Sequence, residues 1–170
     1  VAPSRGLGDV YKRQKQKYID GLLGAFGPVD KIIGMENPYH YRNKVTAAFR
    51  RKKSGEIISG VYEEGTHNIL PVENCYVEDE KAAAIIRTFA ELIKSFKLQI
   101  YNEDTGTGLI RHLQIRVGRK TGQIMVIIVT ASPVFPSKKN LANALVTAHP
   151  EITTVVQNIN MKDTSLSLIH

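Results

Sequence analysis

Residues Asp79 to Phe96 read DEKAAAIIRTFAELIKSF, and Ala82, Ile85, Ile86, Phe89, Leu92, Ile93 and Phe96 recur in it at i, i+3, i+4, i+7 spacing. That period puts the apolar side chains on one stripe, so the segment is a helix with one face to bury. Its neighbours decide what that face meets. Upstream, Val45, Ala47 and Phe49 alternate with Lys44, Thr46, Ala48 and Arg50, the period-two pattern of a half-buried strand over Lys44–Arg51 with a cationic outer face. Lys53-Ser54-Gly55 supplies a turn, Glu56 to Tyr62 returns as the hairpin partner, and Thr66 to Val72 adds a short strand.

Downstream, Leu109, Arg111, Leu113, Ile115 and Val117 alternate with Ile110, His112, Gln114 and Arg116. Gly118 to Gly122 makes a turn, and Gln123 to Thr130 is a nearly continuous apolar run that suits a strand covered on both faces. Lys138 to Ala148 reads as a second helix and Thr153 to Ile159 as a last strand. The order predicts an α+β fold, a mainly antiparallel sheet with two principal helices packed on one face.

At the front, Tyr18, Leu22, Leu23 and Phe26 have near-helical spacing, and Gly27-Pro28 stops the pattern, so Lys15 to Phe26 is expected as a short helix. The opening Val1 to Gln14, VAPSRGLGDVYKRQ, has no apolar periodicity and resembles the conceptual translation of a sequencing adapter. Leu166 to His170, LSLIH, resembles the same kind of scar. Setting residues 1–14 and 166–170 aside leaves residues 15–165 as one expected domain.

Of 170 residues 42% are hydrophobic, enough for a single core, and the greasiest run, Ile124 to Val129, falls far short of the roughly 20 apolar residues of a membrane helix. The formal charge is +7; without Arg5, Asp9, Lys12 and Arg13 it is +5. Arg42, Lys44, Arg50, Arg51, Lys52 and Lys53 crowd one segment and Arg111, Arg116, Arg119 and Lys120 another. Two basic segments brought together by folding suit an anionic partner, because cations that neutralise phosphates release condensed counterions. The single cysteine, Cys75, has no internal disulfide partner, and with no secretory signal in view a cytoplasmic setting is expected.

Asn37-Pro38-Tyr39-His40-Tyr41-Arg42-Asn43-Lys44 packs two aromatics, a histidine, amides and two cations around a turn. Such groups stack on bases, donate to phosphates and read base edges. The same residues also fit a plain strand entry with core aromatics and solvated charges. Arg111 sits on the apolar alternation of its strand, where a cation needs an anionic partner or a functional role; Glu103 and Asp104 are within sequence reach. Cys75 precedes a helix and reads either as a reactive thiol or as a small apolar filler. Gly106-Thr107-Gly108 precedes a strand and does not follow one, which is the wrong context for a dinucleotide loop.

Four segments in order resemble the RNA (uracil-5-)-methyltransferase family of 23S ribosomal RNA and transfer RNA enzymes: Asn37 to Lys44, Leu70-Pro71-Val72-Glu73-Asn74-Cys75, Gly108-Leu109-Ile110-Arg111-His112-Leu113, and Val156-Gln157-Asn158-Ile159-Asn160 followed by Thr164. The resemblance implies a larger parent in which an N-terminal region precedes this chain, this chain is the central, RNA-facing region and a Rossmann-like S-adenosylmethionine domain follows it; a monomer without membrane contact is expected. There a cysteine attacks uracil C6, C5 takes the methyl group and a carboxylate removes the C5 proton. None of those groups lies in this chain, so it is expected to be inactive alone, and 23S ribosomal RNA is the favoured substrate.

The resemblance further implies that Cys75 is the fourth ligand of a 4Fe-4S cluster carried by many members. It places RNA contact on Tyr41, Arg42, Lys44, Arg50, Arg111 and His112. Arg42, Lys44 and Arg111 are expected on one common margin. A stand-alone RNA-binding module is the alternative function, and a domain that packs against a partner a third.

Overall fold

The computed structural model describes residues 7–162, so residues 1–6, Thr164 and the closing segment 166–170 lie outside it. In chain order the elements are α1 (Leu7–Leu23), β1 (Lys44–Arg51), β2 (Ile57–Tyr62), β3 (Ile69–Pro71), α2 (Glu80–Ser95), β4 (Ile110–Val117), β5 (Ile124–Thr130), α3 (Lys138–Ala148) and β6 (Ile152–Ile159). The chain divides between Pro38 and Tyr39 into two units.

In the first unit α1 begins at Leu7, well before the expected start near Lys15, and ends at Leu23, short of Phe26. Residues 10–17 contain no glycine or proline and include Lys12, Arg13, Gln14, Lys15 and Gln16, all good helix formers, so nothing local halts propagation toward the N-terminus. The expected apolar stripe is exposed: Tyr18, Leu22, Leu23 and Phe26 all face solvent.

The second unit is a sheet of order β3-β2-β1-β4-β5-β6. Every neighbouring pair is antiparallel except β5 and β6, which run parallel with α3 between them in sequence. A parallel return needs a crossover, and α3 provides it.

The helix α2 starts where its sequence says. Asp79 takes an extended conformation and its carboxylate accepts from the Lys81 N–H at 3.0 Å, while Glu80 and Lys94 complement the helix dipole at either end. Lys97, at φ 53°, turns the chain out of the helix. Ala82, Ile85, Ile86, Phe89, Ala90 and Ile93 are buried against the sheet, with the Phe89 ring 5.5 Å from that of Phe49. The core they enter gathers Val45, Ala47 and Phe49 of β1, Leu113 and Ile115 of β4, Val126 and Ile128 of β5, and Leu141 and Leu145 of α3. At about 1.5–3 kcal/mol for each fully buried large apolar side chain, this core dominates the stability of the unit. On the other face of β5, Ile127 and Val129 are buried as well, as expected for an inner strand.

Strict alternation fails in β4. Ile110 pairs with Thr130 but His112 pairs with the adjacent Val129, so Arg111 is an extra residue, a β-bulge. The bulge lets Ile110 join the core beside Leu113 and Ile115 and re-aims Arg111.

Candidate functional site

β1 and β4 run antiparallel with Lys44 opposite Arg116 and Ala48 opposite His112. The register puts the candidate residues at opposite ends of the strand pair. Lys44 and Arg50 are six residues apart, about 20 Å at roughly 3.3 Å per residue.

At the first end, Tyr41, Arg42 and Lys44 are exposed. The chain entering β1 is pinned through its backbone: the His40 N–H donates to the Tyr76 carbonyl at 2.7 Å, the Arg42 N–H to Val77 at 2.8 Å, and the Val117 N–H to the Asn43 carbonyl at 2.8 Å. His40 holds φ 52°, an uncommon conformation for a residue with a side chain. Its Nδ1 lies 2.7 Å from the Glu78 carbonyl, and its own carbonyl accepts from the Arg119 guanidinium, which also faces Asp79 at 3.8 Å. These bonds use main-chain groups, which leaves the Tyr41 and Lys44 side chains to solvent. Lys44 and Arg116 point to the sheet face away from the helices and form no ion pair among the described residues. Burial raises the Glu78 carboxyl above the ordinary carboxylate range, and the Arg42 guanidinium pulls it back.

The second end is closed. The Arg111 side chain is 0% exposed. Its Nη2 donates to both Glu103 oxygens at 3.0 and 2.8 Å, its Nη1 donates to the carbonyls of Asn160 and Lys162 at 3.1 and 2.6 Å, and the guanidinium lies 4.4 Å from the Tyr101 ring centroid. A bidentate carboxylate and two carbonyls are what a buried guanidinium needs to offset its lost hydration. Arg111 therefore does not share a margin with Arg42 and Lys44: it lies at the far end of the strand pair and touches no surface. His112 is likewise withdrawn, 8% exposed, with its ring 5.8 Å from that of Tyr62. Burial holds its imidazole below the ordinary histidine range; Glu103 opposes that and Arg111 adds to it. Burial raises the Tyr62 hydroxyl, helped by Glu103 and opposed by Arg111.

Arg50 remains exposed at this end and donates to Asn68 Oδ1 at 3.4 Å. It borders a cleft of about 620 Å³ between the β2–β3 hairpin and the 99–108 segment. Local patterns do not reveal this cleft, because Tyr62, His67 and Asn102 belong to no motif and meet only through the sheet order.

Cys75 is half-buried beside a second cleft with His40, Glu78 and Arg87. Among the described residues no three His, Cys, Asp or Glu side chains are grouped to hold a metal ion, and one thiolate does not fit a four-iron cluster. Gly106-Thr107-Gly108 closes a turn, with the Gly106 N–H on the Asn102 carbonyl at 2.9 Å, and a side chain at Gly108, φ 113°, would run into the Ile100 carbonyl. Those glycines serve a tight loop and do not form a nucleotide cradle.

No family model matches the chain. A Clostridium tetani protein named as an uncharacterized RNA methyltransferase is 38% identical over 161 residues, covering 93% of this chain and 34% of that protein. An Enterococcus faecalis protein of the same name is 35% identical over 167 residues, covering 92% and 36%. Among solved structures, the Pyrococcus abyssi tRNA (uracil-54, C5)-methyltransferase in complex with S-adenosyl-L-homocysteine superposes with a TM-score of 0.68 at 21% identity, over 94% of this chain and 36% of that one. The chain thus spans about a third of the length of its RNA methyltransferase relatives and shares a fold with a third of the solved enzyme. The resemblance to RNA methyltransferases agrees with the names of these relatives, and the solved structure agrees in fold.

Proposed function

We propose that this chain is the RNA-facing part of an S-adenosylmethionine-dependent RNA uracil-C5 methyltransferase, and that its work is to hold RNA while cofactor and nucleophile come from the rest of the parent. The observation that carries this reading is the open end of the β1–β4 pair. Lys44 and Arg116 stand directly opposite each other as like charges. Such a pair costs stability in a sheet, so its presence is explained by an anion that neutralises both. Arg42 adds a cation two residues earlier, and Tyr41 adds an exposed ring suited to an unpaired base. Relatives named as RNA methyltransferases support RNA as the polyanion. Ribosomal RNA is our preferred substrate, and on this reading Cys75 meets its cluster partners only in the parent.

Ultraviolet cross-linking of the chain to single-stranded RNA, followed by peptide mass spectrometry, tests the reading. Cross-links should map to the peptide carrying Tyr41. Cross-links confined to α1, or none at all, would contradict it. The same preparation should show no saturable S-adenosylmethionine binding by calorimetry and no methyl transfer.

A further inference from the structure

We infer that the cleft between the β2–β3 hairpin and the 99–108 segment is a subsite for one unpaired nucleotide of bound RNA. This rests on the RNA-binding reading and adds to it a second contact, about a strand length from the Lys44 end.

The cleft, at about 620 Å³, is within the usual range for a small-ligand pocket. Its chemistry is graded. The half-buried Ile100 supplies apolar surface for the face of a base, above a floor to which the buried Phe49 and Ile69 contribute. Tyr62 and His67 supply rings, with centroids 6.4 Å apart, and the His67 side chain is more than half exposed. Asn102 Oδ1 accepts from the Asp104 and Thr105 N–H groups, which fixes its amide and leaves the NH2 side as a donor to a base edge.

Two arginines of the lining, Arg50 and Arg51, supply the charge for a phosphate. Among the described residues the Arg50 side chain bonds the neutral Asn68, and Arg51 donates to the Leu98 and Gly55 carbonyls at 3.3 and 3.4 Å. Neither forms an ion pair among the described residues. The two acidic residues of the lining, by contrast, are already engaged: Glu103 holds Arg111, and Asp104 Oδ1 is 2.7 Å from His67 Nδ1. With its carboxylates so occupied, the lining keeps an excess of positive charge for a ligand. The His67–Asp104 contact also ties the hairpin to the 99–108 segment, so the ring that would stack on a base is oriented beforehand. A paired base cannot enter such a site without leaving its duplex, so the cleft selects single strands.

The test compares the 170-residue chain with His67→Ala/Asn68→Ala and with Lys44→Ala, for binding to a single-stranded RNA oligonucleotide, to a blunt duplex of the same sequence, and to free uridine and adenosine monophosphates. The double variant sits in an exposed loop, and thermal melting checks its fold. Losing one stacking ring should weaken single-strand binding about tenfold and leave duplex binding unchanged, whereas Lys44→Ala should weaken both. Single-strand affinity unchanged in the double variant but lowered by Lys44→Ala would overturn the subsite and leave the RNA reading standing. Wild-type chain that binds neither RNA would overturn both. Micromolar binding of a free monophosphate, with no gain from the strand, would reassign the cleft to free nucleotides and overturn the inference as stated.

Discussion

Arg111 and Lys44 belong to neighbouring strands of one sheet, yet the two ends of that strand pair treat charge in opposite ways. At the Arg111 end the cation is met by a bidentate carboxylate, two carbonyls and a tyrosine ring. At the Lys44 end the cross-strand neighbour is another cation. The first arrangement completes itself within the fold, and the second is complete only when something negative arrives. A basic residue in a strand is thus evidence of binding only where its partners are missing.

That contrast can be broken most forcefully at Arg111. Arg111→Ala leaves Glu103 and two carbonyls without their donor and should cost about 3–5 kcal/mol in chemical denaturation, while Lys44→Ala should not destabilise at all. If Arg111→Ala is as stable as wild type, the closed end is not closed.

A smaller effect separates the ends by pH. His112 is held below its ordinary value in the folded chain. Its neutral form therefore contributes stability that is fully present above the unfolded value of about 6.5 and is lost as pH falls from there through the folded value. Melting temperature should drop over that window, and His112→Gln should flatten the drop. An unaltered profile in His112→Gln would show that the acid sensitivity resides elsewhere.

The smallest change is expected where charges repel. Lys44→Ala or Arg116→Ala should leave stability unchanged or raise it by a few tenths of a kcal/mol, since a like pair directly across two strands is unfavourable. A clear loss in either variant would mean that the cation has an internal partner after all.

Much of the fold could be read from the chain because each period had one dominant cause. The stripe from Ala82 to Phe96 matches α2 with its Asp79 cap, and the alternation in Lys44–Arg51 has the bounds of β1, departing only at Ala48, which the outer face of the sheet buries. What could not be read depended on contacts between distant segments. The bulge that re-aims Arg111 answers to Glu103, Asn160 and Lys162, and of these only Glu103 was near enough in sequence to suggest itself. The cleft needs β2, β3 and the 99–108 segment side by side, an adjacency that no local pattern encodes. Conversely, α1 ran past its expected start because helix propagation does not depend on where a segment originates.

If the Lys44 end is a phosphate-binding face, the salt dependence of RNA affinity will reveal it. For Arg42→Ala/Lys44→Ala against wild type, plotted as log affinity against log salt on single-stranded RNA, we expect weaker binding and a slope shallower by about 0.7 for each cation removed, with the melting temperature unmoved. Equal affinity and equal slope in the two proteins, with the variant melting earlier, would contradict it and make these cations structural partners within the fold.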